Sequence, residues 1–269
     1  LGRHLEGLPR RPIKPCRESG GDVTTAIVTG ASGGVGSAIA GVLVASGYRV
    51  IGLDCAQAPA DYSWEHIALD LSDPRAIREV IRSLPGDTGV VVHAAAEQAL
   101  LTAQTSDDEA WLRSWSVNVM SLQIIVAEMF QVLSTNDPRR VISVGSVHGR
   151  HTSSGVAPYA VCKAALRAYI RSLALDSSPS GVVAIDIELG ATDSPKLWEG
   201  LARRADPHSA LQTLVGSLPS GRLVAREDVA SLIRWLLESS ADHLTGGSIE
   251  LSGGIHAALA SEWGANFED

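Results

Sequence analysis

Tyr159 and Lys163 stand four positions apart in a segment, 158–176, whose pattern predicts a helix, so their side chains lie one turn apart on the same face. That pairing has a chemical use. A phenol titrating near pH ~10 is a poor base at neutral pH, but an ammonium about 4 Å away can favour the phenolate by up to ~4 kcal/mol, roughly 3 pK units. Tyr-x-x-x-Lys is also common on solvated helix faces, and its weight depends on its company. A second candidate is the turn Thr29-Gly30-Ala31-Ser32-Gly33-Gly34-Val35-Gly36, between a β-branched run at 24–29 and a helix-compatible segment at 37–46. Its glycines permit a tight turn and let backbone N–H groups at the positive end of a helix approach a pyrophosphate. The spacing is not Gly-x-Gly-x-x-Gly, because Ile39 holds the place of the third glycine, and such a turn can also be purely structural. Asp54, eighteen residues beyond Gly36, ends the next strand. There a carboxylate can accept hydrogen bonds from adenosine ribose hydroxyls. A 2′-phosphate would bring like charges within roughly 5 Å, and the next residue is Cys55 rather than an arginine, so NAD is favoured over NADP.

The elements that must position these groups alternate along the chain. Strands are expected at 24–29, 48–54, 66–69, 89–93, 140–144, 182–187 and 248–251, and helices at 37–46, 74–84, 107–133 with a break near Asn118, 158–176 and 227–238. A polar and helical insertion occupies about 192–218. The continuous apolar strand centres suit a sheet covered on both faces. The reading is α/β: a single Rossmann-like domain, with a doubly wound parallel β-sheet and helices on both faces. Residues 1–22, rich in charge and proline, form a flexible N-terminal arm, and 23–269 form the domain.

With these motifs in place, the chain from Thr24 to Gly254 resembles the classical short-chain dehydrogenase/reductase family. The elements occur in order: TGASGGVG at 29–36, Asp54, the pair Asp70-Leu71, Asn118, Ser146, YAVCK at 159–163, GAT at 190–192 and LTGGSIELSGG at 244–254. The resemblance implies a catalytic set of Asn118, Ser146, Tyr159 and Lys163. Ser146 would donate to the substrate oxygen while Tyr159 shuttles its proton, Lys163 would hold the nicotinamide ribose and lower the tyrosine pKa, and Asn118 would anchor a water relay behind the lysine. It also implies cofactor contacts from Gly30, Ser32, Gly34, Val35, Gly36, Asp54, Asp70 and Leu71 at the adenine, Ala94, and Thr192 and Ser194 at the nicotinamide. A substrate lid at about 192–218 and a homotetramer packed through helices 107–133 and 158–176 are implied as well. Two segments depart from the family. Its Asn-Asn-Ala-Gly is His93-Ala94-Ala95-Ala96 here, and its Pro-Gly is Leu189-Gly190.

For the substrate site, Ser146 and Tyr159 are joined by His148 in the loop before Tyr159 and by Trp198 in the lid. His148 and His151 read more readily as solvated loop residues, and no metal site follows from them. The loop 148–154 suits a polar, hydroxylated or acidic substrate, whereas Trp198 and its leucine neighbours suit an apolar cyclic or aliphatic alcohol or ketone. The expected function is an NAD-dependent oxidoreductase interconverting a secondary alcohol and ketone, or hemiacetal and lactone, on a small polar substrate. A catalytically silent NAD-binding regulator on the same fold is the alternative from another class. Twenty-two basic against thirty acidic residues give a formal charge of −8, which argues against nucleic acid as partner. No apolar run is long enough for a membrane span. Three scattered cysteines make no disulfide framework and suit the cytoplasm.

Overall fold

Short aliphatic and β-branched runs become the strands because each can bury both faces between helices. The computed structural model describes residues 24–132, 140–177, 180–238 and 241–257, so the arm expected at 1–22 lies outside the described residues. Strands β1 (Thr25–Thr29), β2 (Arg49–Asp54), β3 (Glu65–Ala68), β4 (Thr88–His93), β5 (Arg140–Ser146), β6 (Val183–Leu189) and β7 (Ser248–Leu251) form one sheet, ordered β3-β2-β1-β4-β5-β6-β7. Every pairing is parallel. The winding reverses between β1 and β4, which opens a crevice at the carboxyl ends of those strands.

The helices are α1 (Gly34–Ala45), α2 (Pro74–Ser83), α3 (Asp108–Trp115), α4 (Ser121–Val132), α5 (Ala157–Ser177), α6 (Pro195–Ala202), α7 (Pro207–Gly216) and α8 (Arg226–Glu238). On one face of the sheet Ile39, Leu43, Ile233 and Leu236 of α1 and α8 pack on Val28, Val90 and Ile142. On the other, Ile77, Leu122, Ile125, Leu166 and Ile170 of α2, α4 and α5 pack on Ile27, Val91 and Val141. Strand alternation divides β5 between them. Buried Glu128 of α4 also accepts from Arg82 Nε at 2.7 Å and pairs with Arg78 Nε at 3.2 Å, which ties α4 to α2.

The helical region around Asn118 is interrupted, as its sequence suggested. Residues Ser116–Met120 form a wide π-turn between α3 and α4. Asn118 Nδ2 donates to the carbonyl of Ser114 at 2.8 Å, the oxygen that a regular helix would give to the backbone N–H of residue 118. The side chain competes with the backbone, and the turn widens.

Six apolar residues, Leu122, Ile125, Val126, Met129, Leu166 and Ile170, could by sequence fill either the core or an interface between subunits. All are at most 5% exposed, so they belong to this chain's own core. Leu112, Trp115, Met120, Val161 and Leu175 remain exposed on α3, the π-turn and α5. Among the described residues no helix is long and apolar enough to cross a membrane.

Candidate active site

The turn after β1 is held by backbone contacts that exclude side chains. Gly30 takes φ +70°, and a Cβ there would lie 2.7 Å from the backbone of Ala95. A Cβ on Gly36 would lie 2.0 Å from the Gly30 carbonyl oxygen. On Gly34 it would meet Pro195 at 2.7 Å, because the start of α6 rests on the turn. Asp54 braces the loop from the end of β2: its carboxylate accepts from Ser32 N and Ala56 N, each at 2.9 Å. Each oxygen keeps a second lone pair for a ribose hydroxyl. Val35 packs against the core beneath α1, and Ala94 N donates to Thr29 O at 3.2 Å. These features fit a dinucleotide: a cradle that only glycines leave open, at a helix N-terminus, with a carboxylate at its far edge.

The remaining expected cofactor residues are placed less simply. Asp70 accepts from Ser72 N and Oγ, both at 2.8 Å, and from Arg113 at 3.2 Å. The Ser72 backbone N–H leads in holding this carboxyl below its ordinary range. Leu71 is 6% exposed and turns its side chain into the core, which leaves its backbone for any ligand. Thr192 Oγ1 donates to Gly190 O at 3.1 Å, and Ser194 caps α6 through Leu197 N at 3.4 Å.

Ser146, Tyr159 and Lys163 converge where β5 ends and α5 begins. Ser146 Oγ accepts from His148 N at 3.2 Å and keeps its own proton to donate. Tyr159 is half-buried beside His148, ring edge to ring at 5.8 Å between centroids. His148 Nδ1 lies 3.0 Å from Thr152 Oγ1, and burial pushes its pKa down, so it faces the phenol as a neutral ring. Lys163 is buried, its Nζ donating to Val144 O at 2.8 Å and lying 5.5 Å from the Tyr159 ring centroid.

The expectation that Lys163 lowers the tyrosine pKa is not met in this arrangement. Burial pushes the Tyr159 phenol up, and a hydrogen bond with Ser146 pulls it only partly back. The ammonium is directed at the Val144 carbonyl rather than at the phenol oxygen. Burial also lowers Lys163 itself to about 8, opposed first by Asp186, while Lys196 adds to the lowering. Asp186 and Glu188 alternate on the face of β6 that meets α5, and Arg167, one turn beyond Lys163, pairs with Glu188 at 3.0 Å. Two cations of α5 thus face two carboxylates of β6. Asp186 is further held by a short bond from Ser143 and by Ser248 at 3.3 Å.

Asn118 is fully buried. Its Nδ2 also donates to Glu97 O at 2.8 Å, its Oδ1 is left as a free acceptor, and its backbone carbonyl lies 3.2 Å from His93 Nε2.

Comparison with known proteins places this geometry. A family model described as short chain dehydrogenase matches residues 24–203. The chain belongs to the short-chain dehydrogenase family. A curated relative, the 3-oxoacyl-[acyl-carrier-protein] reductase of Escherichia coli K12, is 29% identical over 241 residues, covering 86% of this chain and 96% of its own. Ligand-free aldohexose dehydrogenase from Thermoplasma acidophilum superposes with a TM-score of 0.83 at 22% identity, covering 88% of this chain and 96% of its own. A 4-hydroxyisoleucine dehydrogenase complexed with NADH gives 0.79 at 19% identity, covering 88% and 100%. At these identities the two structures share the fold. As a short-chain dehydrogenase the chain is an oxidoreductase of CH–OH groups that works with a nicotinamide cofactor.

Several groups at this dehydrogenase's site escaped the sequence reading. Lys196 of α6 reaches across to donate to Ala96 O at 3.2 Å, and Arg113 braces Asp70. Asp186 sits behind Lys163, in a gap that a Cβ at Gly145 would close to 2.5 Å. No local motif signals these pairings. Trp198 is half-exposed, with its indole N–H donating to Asp193 at 2.7 Å. The His151 ring lies tilted against that of His256, centroids 4.4 Å apart, away from the tetrad's hydrogen bonds. Cys162 is packed against Ser114 at 3.6 Å, and burial raises its thiol. Among the described residues no three metal-ligating side chains cluster.

The lowered Lys163 pKa has a measurable consequence. Below about 8 the residue is charged in the folded and unfolded states alike, and the full cost of burying it is present. Between about 8 and its ordinary 10.5 the unfolded chain holds a proton that the folded chain has released, so stability rises with pH across that window. Urea melts should therefore show wild type gaining about 3 kcal/mol over the uncharged pair Lys163→Met/Asp186→Asn between pH 7.5 and 10.5. Parallel pH dependences would contradict the assignment.

Proposed function

We propose that this chain is an NAD-dependent oxidoreductase that interconverts a secondary alcohol and a ketone, or a hemiacetal and a lactone, on a small polar substrate. The observation that carries the reading is the convergence of Ser146, Tyr159 and Lys163 beside the Gly30–Gly36 turn at the β1/β4 switch point. Gly30, Ser32, Gly34, Val35 and Gly36 would hold the pyrophosphate, Asp54 the adenosine ribose, Asp70 and the Leu71 backbone the adenine, and Ala94, Thr192 and Ser194 the inner half. When bound, the nicotinamide supplies the hydride acceptor or donor.

The chain's own residues manage the proton. Ser146 donates to the substrate oxygen, and Tyr159 exchanges a proton with that same oxygen. Lys163 commits one of its three N–H groups to Val144 and keeps two, enough for a ribose hydroxyl and for a relay through Asn118. Tyr159 begins above its ordinary pKa, so charge from Lys163 must reach the phenol oxygen before Tyr159 can act as a base at neutral pH.

A polar substrate is supported by the neutral ring of His148 next to Tyr159 and by the Lys196 ammonium that the lid at about 192–218 brings to the cleft. Trp198, its N–H already taken by Asp193, would contribute an apolar wall. The exposed face of Leu112, Trp115, Met120, Val161 and Leu175 supports assembly as a homotetramer through α3 and α5. Free cysteines at Cys55 and Cys162 suit a reducing cytoplasm.

Three measurements test these readings. NADH formation should be greater with polyols and sugars than with cyclic or aliphatic alcohols, and Tyr159→Phe should lose ~10²-fold or more of that turnover with NAD affinity near normal. Binding without turnover across both panels would instead favour the silent regulator. Catalytic efficiency should be higher with NAD than with NADP, and Asp54→Ala should gain NADP activity; an NADP preference in wild type would reverse the cofactor assignment. Light scattering should give a tetramer that Trp115→Glu disrupts, and a monomeric wild type would remove the assembly.

A further inference from the structure

His93 is fully buried at the carboxyl end of β4, paired with Thr29 on one side and Ser143 on the other. Both ring nitrogens are engaged: Nδ1 lies 2.8 Å from Thr29 Oγ1, and Nε2 lies 3.2 Å from the backbone oxygen of Asn118. The polarity of these bonds follows from their ends. A carbonyl oxygen only accepts, so Nε2 carries the proton; Nδ1 must then accept, and Thr29 Oγ1–H donates to it. The Thr29 oxygen in turn accepts from Ala95 N at 3.2 Å. A directed chain therefore runs from Ala95 N–H through Thr29 and His93 to the carbonyl of Asn118. It joins the segment that leaves no room for a Cβ on Gly30 to the π-turn.

We propose that His93 is a positioning residue for the Tyr159–Lys163 chemistry, fixing the Asn118 peptide carbonyl in direction so that its second lone pair is aimed for the relay to Lys163. The assignment rests on the oxidoreductase reading above. The turn at 116–120 is wider than a regular helix, with Ser121 N donating five residues back to Ser116 O, and the imidazole N–H gives the Asn118 carbonyl a donor from outside the helix. Only a side chain as long as histidine spans both contacts. Asparagine at position 93 would keep the atom that meets Thr29, but its amide ends where Nδ1 does and falls short of Asn118. Glutamine places an amide N–H where Nε2 stands. Burial and the nearby Lys163 charge push the imidazole down to about 3, so it holds the carbonyl as a neutral donor and adds no second cation beside the lysine.

The length argument sets the test. With NAD and the best substrate of the alcohol panel, His93→Asn should lose at least tenfold in kcat while KM for NAD stays within about twofold. His93→Gln should return kcat to within about threefold of wild type. A purely structural role in the sheet would be served as well by either amide and would not separate them. Independently of turnover, ¹⁵N spectra of histidine-labelled full-length protein should show the His93 proton on Nε2. In an active enzyme, equal kcat in the two variants, or the proton on Nδ1, would overturn the role of His93 alone. Absence of turnover in wild type would overturn the oxidoreductase reading and the positioning role with it.

Discussion

An ammonium ion left with only 2% of its surface exposed must be compensated locally, because desolvation of the charged form works against it at every pH below its own pKa. The surroundings of Lys163 follow from that requirement. The Val144 carbonyl takes one N–H, Asp186 provides an opposite charge from the next strand, and glycine at 145 leaves that carboxylate its space. His93 stays neutral although it is a base beside the site. The same helix face continues with Arg167 against Glu188, so α5 is seated on β6 by charge as well as by Leu166 and Ile170. Tyr159 is carried to the end of β5 by a helix whose rotation is fixed at three points.

The crevice opposite this helix has a different origin. It exists because β1 and β4 are neighbours whose following segments leave in opposite directions, and because Gly30 and Ala95 approach closer than side chains would permit. Pro195 then closes on Gly34 from the lid side, and Lys196 fastens the same segment to Ala96. Cofactor turn, β4 loop and lid are thus in mutual contact. A dinucleotide settling among them would have to be accommodated by the start of α6, the one partner of the three not anchored in the sheet.

Much of this was legible in the sequence where local pattern and tertiary demand agree. Strand β7 runs from Ser248 to Leu251 as expected, Asp73 caps α2 through Arg75 N and Ala76 N, and the interruption at Asn118 is present. Boundaries moved where pairing overrode propensity. Strand β5 extends through Gly145 and Ser146, poor strand formers, because Glu188 and Leu189 of β6 pair with them. Helix α1 begins at Gly34 rather than Ser37, since Gly34 and Gly36 are needed small by contacts outside the helix. The tetrad could be read because its residues hold fixed spacings. Their partners could not: Lys196 finds its acceptor 100 residues away, Arg113 meets Asp70 across 43, and Asp186 lies in a strand that, Glu188 apart, reads as apolar. His93 was visible as a departure from the family, but its reach to Asn118 depends on a turn that only the folded helix makes.

That π-turn also governs how this part of the chain tolerates change in length. Helices α3 and α4 run on without a loop, so a residue gained or lost within either regular helix would shift the angular phase of all that follow by about 100°. The wide turn is the exception: it spreads one additional residue over about the same rotation, so losing one residue from 116–120 would restore a regular helix and leave α4 close to its present phase. Leu122, Ile125 and Met129 would still face the core, and Glu128 would still face Arg78 and Arg82. What such a deletion would remove is the widened turn itself, and with it the seat of the Asn118 side chain on the Ser114 carbonyl, so the extra residue is held in place by the site rather than by the core.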